Sequence, residues 1–429
     1  MEPIFDVLRQ LSEKNEDIIL SDEMFELMKP IIQKFNINKQ QVYNSWKNYE
    51  VLKHSHCNNE DELTYISDSM ISRDKVEIVK NVKPKLKWLN SLPQPEQRTP
   101  EWYSYRHTVI TASSMSQIFE SKSKYKHILK EKVLPEKERQ FSSTPALSHG
   151  IRNEPVAQWI YEMLTETKIS EYGCIKHPSI SYIGASPDGI VTSSKCKKKL
   201  GHMLEIKCLY SRKLTGIPLY KYWVQCQIQL EVCKLEYCDF FEIKLNENLT
   251  EEEFYSKIRD KTHKQFYGIV IEYAVQDSKT NQTKNHWIYS PINLTEQEFI
   301  TCSSNNLKQF SENDENTWYV RSYYWELLKY SNRLIKRNRE WFKYIRPKID
   351  TFWKDVEDKR EILESDKSGE IKKTMFPEKP EKPEPLKLDI CLIDTDDDEP
   401  ISTLNVPENK SPIKSSNLEM CLIDTDDEI

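Results

Sequence analysis

Apolar positions along this chain change period several times, and the changes mark out its elements. Residues 1–82 place apolar side chains at helical spacing, as in Phe5, Leu8 and Leu11, then Phe25, Leu27, Ile31 and Ile32. The basic stretch Lys83-Pro84-Lys85-Leu86-Lys87 follows, and Leu92-Pro93-Gln94-Pro95 reads as a boundary. Gly150 precedes Glu154, Ala157, Ile160 and Leu164, a helix with one acid near its start. Ser113 opens a helical pattern running through Ile118 and Phe119. The period then shortens to two. Leu204-Glu205-Ile206-Lys207 alternates as a strand does, and Tyr237–Ile243, Gly268–Tyr273 and His286–Tyr289 read as further strands. Beyond residue 293, Val320, Tyr324, Leu327, Leu328, Leu334, Ile335, Trp341, Phe342 and Ile345 return to the helical period, predicting helices over 294–365. From about Asp366 the chain is rich in Pro and charge and cannot bury a core, so a disordered tail is expected. The expected organisation is a helical region at 1–92, a core at 93–292, a helical region at 293–365 and a tail at 366–429.

Two short segments carry the chemistry. Ser186-Pro187-Asp188-Gly189-Ile190 reads as a turn beside a strand, and Glu205 and Lys207 follow on the alternating segment. Side chains two apart on a strand share a face, so Glu205 and Lys207 project together while Ile206 turns to the core. Carboxylate oxygens suit hard cations such as Mg²⁺, which keep several of their waters. Such a cation polarises a phosphate and activates a water, and a nearby ammonium neutralises charge developing on the phosphate. The plainer reading of the same residues is a surface turn and an edge strand with a solvated Glu and Lys.

Further segments, in order, decide between these readings. They are Thr99–Arg106, Val109-Ile110-Thr111-Ala112-Ser113, His149–Ala157, Ser186–Asp188, Glu205–Lys207 and Tyr222–Leu230. Together they resemble the PD-(D/E)xK nucleases and, more narrowly, the YqaJ-type viral recombinases, the family of phage lambda exonuclease. The resemblance covers roughly residues 99–245 and implies an α/β fold of the restriction-endonuclease-like class: a mixed central sheet flanked by helices, here with helical N- and C-terminal additions. It implies Asp188, Glu205 and the Ile206 carbonyl as metal ligands for Mg²⁺, with Mn²⁺ able to substitute. It implies Lys207 as the catalytic lysine, Glu154 as the helix-borne glutamate supporting the metal site, and Gln225 lining the active site. Arg106 and Ser113 match the residues that hold a 5′-phosphate, with Ser186 assisting. Arg106 has the fork geometry that suits a phosphate, and Ser113 is expected at a helix N-terminus, a natural anion site. Gln227 and Gln229 read as a polar face. His107-Thr108 departs from the small residue common in relatives, which leaves the path of the phosphate loop open. The function implied is a double-strand DNA exonuclease, 5′→3′, making single-stranded tails for recombination or repair with a strand-annealing protein. A structure-specific endonuclease and a catalytically silent DNA-binding scaffold are the alternatives, and homo-oligomerisation is left open.

Composition modifies this picture at a few points. The 429-residue chain has a net charge of −6, unhelpful for binding DNA. Residues 366–429 hold 17 acids and 8 bases, however, so the rest of the chain is +3. Lys195–Lys199 forms a basic tip between the two catalytic strands, a solvated loop or a backbone contact for DNA. The 10 cysteines show no repeated metal-binding spacing, so buried free thiols in a reducing compartment are expected. No signal-like segment and no run approaching the ~20 apolar residues of a membrane span is evident, so an intracellular location without a membrane partner is expected. Abundant Lys, Asn and Ile fit the AT-rich genome of a large DNA virus. In the tail, Cys391–Asp397 recurs unchanged at Cys421–Asp427. Each copy is a short apolar run followed by acids and resembles SUMO-interacting motifs, which add a strand to a partner's sheet edge. Leu392, Ile393, Leu422 and Ile423 are the expected docking residues.

Overall fold

The computed structural model of the chain describes residues 60–134, 144–276, 283–313, 316–365 and 375–376. Two helices, α1 (Glu60–Ser69) and α2 (Val82–Asn90), precede α3 (Pro100–His107) and the short strand β1 (Ile110–Thr111). A 3₁₀ turn, the single turn α4 (Gln117–Glu120) and α5 (Lys122–Val133) lead to the long α6 (Pro145–Thr165). Strands β2 (Thr167–Ser170), β3 (Ile175–His177), β4 (Ile180–Ala185), β5 (Gly189–Ser194) and β6 (Met203–Cys208) come next. Then follow α7 (Tyr220–Cys233), β7 (Tyr237–Leu249), α8 (Glu251–Arg259), β8 (Tyr267–Gln276) and β9 (Thr283–Tyr289). The described chain closes with α9 (Glu296–Asn313), β10 (Thr317–Lys336) and α10 (Arg339–Ser365).

Seven strands form one sheet in the order β2-β5-β6-β7-β10-β8-β9. β6 and β7 run parallel, and the other neighbours are antiparallel. A smaller sheet, β1-β4-β3, stands apart, with β1 and β4 parallel. The α/β class with a mixed central sheet flanked by helices is thus what the chain adopts. Strand alternation sorts the two faces. Leu204 and Ile206 pack with Val156, Ala157, Ile160 and Tyr161 of α6. Met203 packs on the opposite side with Trp223, Val224 and Ile228 of α7. Burying each such side chain contributes about 1.5–3 kcal/mol, so the register of β6 is strongly held. A slip of one residue would turn Glu205 and Lys207 into the α6 core. Thr144 caps α6 by accepting the Leu147 N–H at 3.2 Å, and Pro145 occupies the first turn, where its missing N–H costs nothing.

Several expectations need correction. Residues 317–336 are not helical: they form β10, paired with β7 on one side and β8 on the other. Trp318, Tyr319, Tyr323, Tyr324, Trp325 and Tyr330 fit a pleated surface well. Register shifts at Tyr324/Glu326 and Leu327/Lys329 break the two-residue alternation and mimic a helical spacing. Within Leu92–Pro95, Gln94 Oε1 accepts the Gly173 N–H at 3.1 Å. A Cβ on Gly173 would lie 2.2 Å from the Pro95 carbonyl oxygen, so only glycine permits this approach. Cys174, Cys226, Cys233 and Cys238 are buried free thiols, whereas Cys196 is exposed. Phe5–Ile32 and the docking residues Leu392, Ile393, Leu422 and Ile423 lie outside the described residues.

Candidate active site

The site forms where the short turn after β4 meets β6. Asp188 immediately precedes β5, and its Oδ2 accepts the Ile206 N–H at 2.7 Å. That bond ties the turn to the centre of β6. A Cβ at Gly189 would lie 2.2 Å from Cγ2 of Ile169, so any larger residue would have to push that side chain aside. Glu205, fully buried, points to the α7 side with Lys207, and the two form an ion pair. Helix α7 brings Tyr222, Gln225 and Gln229 to one face, as spacings of three and four residues require. Gln225 Nε2 donates to Glu205 Oε1 and Gln229 Nε2 to Oε2, each at 2.7 Å. The Lys207 ammonium lies 4.9 Å from the Tyr222 ring centroid.

Across the same cavity, of about 790 Å³, stands Glu154 on α6. Its Oε2 is 2.7 Å from Nη2 of Arg98. Arg106 Nη2 donates to Ser113 Oγ at 3.2 Å, and its guanidinium lies 4.1 Å from the Trp102 ring centroid. Trp102 Nε1 donates to Ser186 Oγ at 3.2 Å. Trp102 thereby links Arg106 and Ser113 to Ser186 on one wall. All the expected site residues in residues 99–245 except Glu205 line this cavity, and Glu205 lies directly behind Lys207 and Gln225. Ser113 is not at the start of a long helix; it sits in a 3₁₀ turn, followed by the four-residue α4. The long helix terminus expected at Ser113 is therefore absent, and Ser113 instead accepts a hydrogen bond from Arg106.

Charge in the cavity is unevenly balanced. Burial pushes the Asp188 carboxyl well above its ordinary range, and the neighbouring Glu205 and Glu154 push it further. Burial likewise raises Glu154, against the pull of Arg98 and Lys207. Burial works against the Lys207 ammonium, but Glu205 and Asp188 outweigh it and raise its pKa. Lys207 is thus a permanent cation here, and the acids lack a matching charge. A hard cation would supply it. Asp188 and Glu205 offer the oxygen donors such an ion takes, beside the Ile206 carbonyl. Among the described residues, no three His, Cys, Asp or Glu side chains are already gathered as a metal-ligand set. Glu205 gives its oxygens to Lys207, Gln225 and Gln229. The donors fit a divalent ion, provided Glu205 releases an oxygen from this network.

Sequence reasoning missed four participants. Gln229 was read as a polar face, yet it is fully buried and holds Glu205. Its seven-residue distance from Tyr222 was the available signal. Arg98, Trp102 and Tyr222 stood beside or within the quoted motifs and received no role. Nothing local marks Arg98, whose partner is 56 residues away.

The chain is 29% identical over 297 residues to an uncharacterized protein of Acanthamoeba polyphaga mimivirus, covering 62% of this chain and 53% of the relative. It thus spans about half the length of that relative. Among solved structures, it is similar to an alkaline exonuclease (LHK-Exo) from Laribacter hongkongensis, with 18% identity and a TM-score of 0.36 over 62% of this chain and 96% of that one. It is also similar to a phage related exonuclease from Haemophilus somnus 129PT, with 12% identity and a TM-score of 0.32 over 60% and 96%. Residues 101–236, which hold the whole motif series from Trp102 to Gln229, match the family of the YqaJ-like viral recombinase domain, as the order of those motifs implied.

Proposed function

We propose that the chain is a Mg²⁺-dependent nuclease acting on double-stranded DNA from its ends, 5′→3′. The observation that carries this reading is the gathering of Asp188, Lys207, Glu154 and the Arg106–Ser113–Ser186 wall around one cavity, with Glu205 behind it. The segment's match to a viral recombinase domain supports the same reading. Asp188 and Glu205, with the Ile206 carbonyl, would hold the divalent ion. When bound, that ion polarises a phosphate and lowers the pKa of a coordinated water.

The chain's own residues do the rest. Lys207, kept protonated by Glu205 and Asp188, presents a fixed positive charge where negative charge grows on the scissile phosphate. Gln225 and Gln229 hold Glu205 in one orientation, so Lys207 is held as well. Arg106, flattened on Trp102 and steadied by Ser113, offers two N–H groups to a terminal phosphate. That hook sets how far a DNA end enters. The test is digestion of linear duplex with Mg²⁺, comparing 5′-phosphorylated with 5′-hydroxyl ends and including closed circular DNA. Faster loss of phosphorylated linear duplex, released from the 5′ end, is expected. Cleavage of closed circles would instead establish an endonuclease, and no cleavage with Mg²⁺ or Mn²⁺ would end the nuclease reading.

The tail repeats at Leu392–Ile393 and Leu422–Ile423 are proposed to recruit a SUMO-like or other partner. Two copies on one segment raise avidity for a multivalent partner. Truncation after residue 365 should leave cleavage of naked DNA unchanged and abolish that recruitment in a pull-down with purified SUMO. No helix of the described residues is long and apolar enough to cross a membrane.

A further inference from the structure

Arg98 stands at the edge of the cavity, one residue before the Thr99 cap of α3, with its backbone in the left-handed region at φ 68°. A side chain larger than glycine rarely adopts that region, and it does so at a conformational cost. The turn therefore does not explain the arginine; glycine would make it more easily. What the arginine does make is the 2.7 Å pair between its Nη2 and Oε2 of Glu154. Glu154 is on the cavity side of α6, and Arg98 is the cation bonded to it. Lys207, the other cation near Glu154, is bonded to Glu205. Glu154 at the cavity and Glu205 behind it thus each have a basic partner, and the Arg98 pair fixes where the Glu154 carboxylate points.

We propose that Arg98 is a positioning residue for the reaction, acting through Glu154 rather than on DNA. This rests on the nuclease reading above. With Arg98 in place, the carboxylate is held in one orientation at the cavity edge; without it, a glutamate midway along a long helix samples several rotamers. Misplacement of a supporting group by about an ångström costs up to roughly a hundredfold in rate.

The backbone geometry supplies an unusually clean test. Arg98→Gly removes the guanidinium and relieves the strained φ, so the full-length variant should melt no lower than the parent chain. Its kcat on linear duplex with Mg²⁺ should fall about ten- to a hundredfold, with KM for DNA nearly unchanged. Arg98→Lys should recover most of the loss, because the pair uses a single nitrogen, Nη2, and an ammonium can replace it. In a Glu154→Gln background, Arg98→Gly should cost nothing further. A rise in KM with kcat intact would make Arg98 a DNA contact and overturn the proposal. So would an unchanged kcat, a full additional loss in the Glu154→Gln background, or a lower melting temperature for Arg98→Gly. If the parent chain cleaves no DNA at all, the nuclease reading itself falls and this inference with it. If the parent cleaves and Arg98→Gly matches it, only the inference falls.

Discussion

Strands β6 and β7 lie side by side in parallel, and a carboxylate cluster is built around each, with opposite outcomes. Asp239 on β7 sits opposite Leu204 of β6 and is fully buried. Tyr161 donates its hydroxyl to Oδ2 at 2.7 Å, and Nδ1 of His202 is 2.9 Å from the same oxygen. Lys199 is 3.2 Å from Oδ2, and Arg73 is 2.8 Å from Oδ1. Burial alone would raise this carboxyl. The His202 hydrogen bond and the charges of His202, Lys199 and Arg73 outweigh burial and hold it far below the usual range. Asp188 is also buried, but its close neighbours are Glu205 and Glu154, with one backbone N–H and Lys207 against them, and its carboxyl is pushed up. One cluster is matched partner for partner and ties four segments together. The other is left short of positive charge at a cavity. A fold gains nothing from the second arrangement, since buried charge without a partner is costly. On the proposed reading, that shortfall is room left for a cation and a phosphate.

The largest expected effect falls on the unbalanced cluster. Asp188→Asn keeps an oxygen for the Ile206 N–H and removes the charge. Cleavage should drop at least about a thousandfold, as when a group stabilising the transition state is lost. Thermal stability should stay level or rise, because an under-compensated charge has gone. A variant that cleaves normally, or that melts well below the parent, would break the comparison at its functional end.

At the balanced cluster the signs reverse. Asp239→Ala strands Arg73, Lys199 and His202 around a void, and breaking a buried pair in this way costs about 3–5 kcal/mol. Urea unfolding should show that loss, while the folded fraction retains the parent's rate of DNA cleavage. Parent-like stability would mean that the four partners contribute nothing net, and the contrast would fail.

Much of the candidate site was legible in the chain because its information is local. Glu205 and Lys207 share a face through strand geometry alone, and Pro187-Asp188-Gly189 announces a turn. The balanced end was illegible because its parts are distant: Arg73, Tyr161, the Lys199–His202 connection and Asp239 come from four separate segments. The basic tip at Lys195–Lys199 looked like a solvated loop, yet Lys199 turns inward to Asp239. Strand β10 was misread for a related reason. Its register shifts, two against β7 and one against β8, arise in pairing that its own side chains do not display. Gln229 looked like one more polar helix residue until α7 was laid against β6.

A smaller effect is expected at the phosphate hook. Arg106→Ala removes charge-assisted hydrogen bonds worth roughly 1.5–3 kcal/mol. Digestion from 5′-phosphorylated ends should slow about ten- to a hundredfold, and from 5′-hydroxyl ends much less. Equal slowing on both substrates would assign Arg106 to the fold, through its bonds to Thr111 and Ser113 and its contact with Trp102.

The smallest effects are in pH dependence, and they separate the two clusters by sign. An unfolded aspartate titrates near pH 3.9, about its ordinary value. Folded Asp239 titrates lower, so its contribution is complete above about pH 4 and is lost as pH falls, when the unfolded chain takes up the proton first. Folded Asp188 titrates higher, so the folded chain holds a proton that the unfolded chain has released, and stability falls as pH rises from about 4 toward its elevated value. Each group changes the unfolding free energy by at most about 1.4 kcal/mol per pH unit. In urea titrations at a series of pH values, the deficit of Asp239→Asn against the parent should shrink on acidification below about pH 4. The advantage of Asp188→Asn should grow on going from pH 4 upward. Difference curves that run parallel to the pH axis for both variants would show that the two carboxylates are equally compensated, and the distinction between a structural and a functional cluster would have to be abandoned.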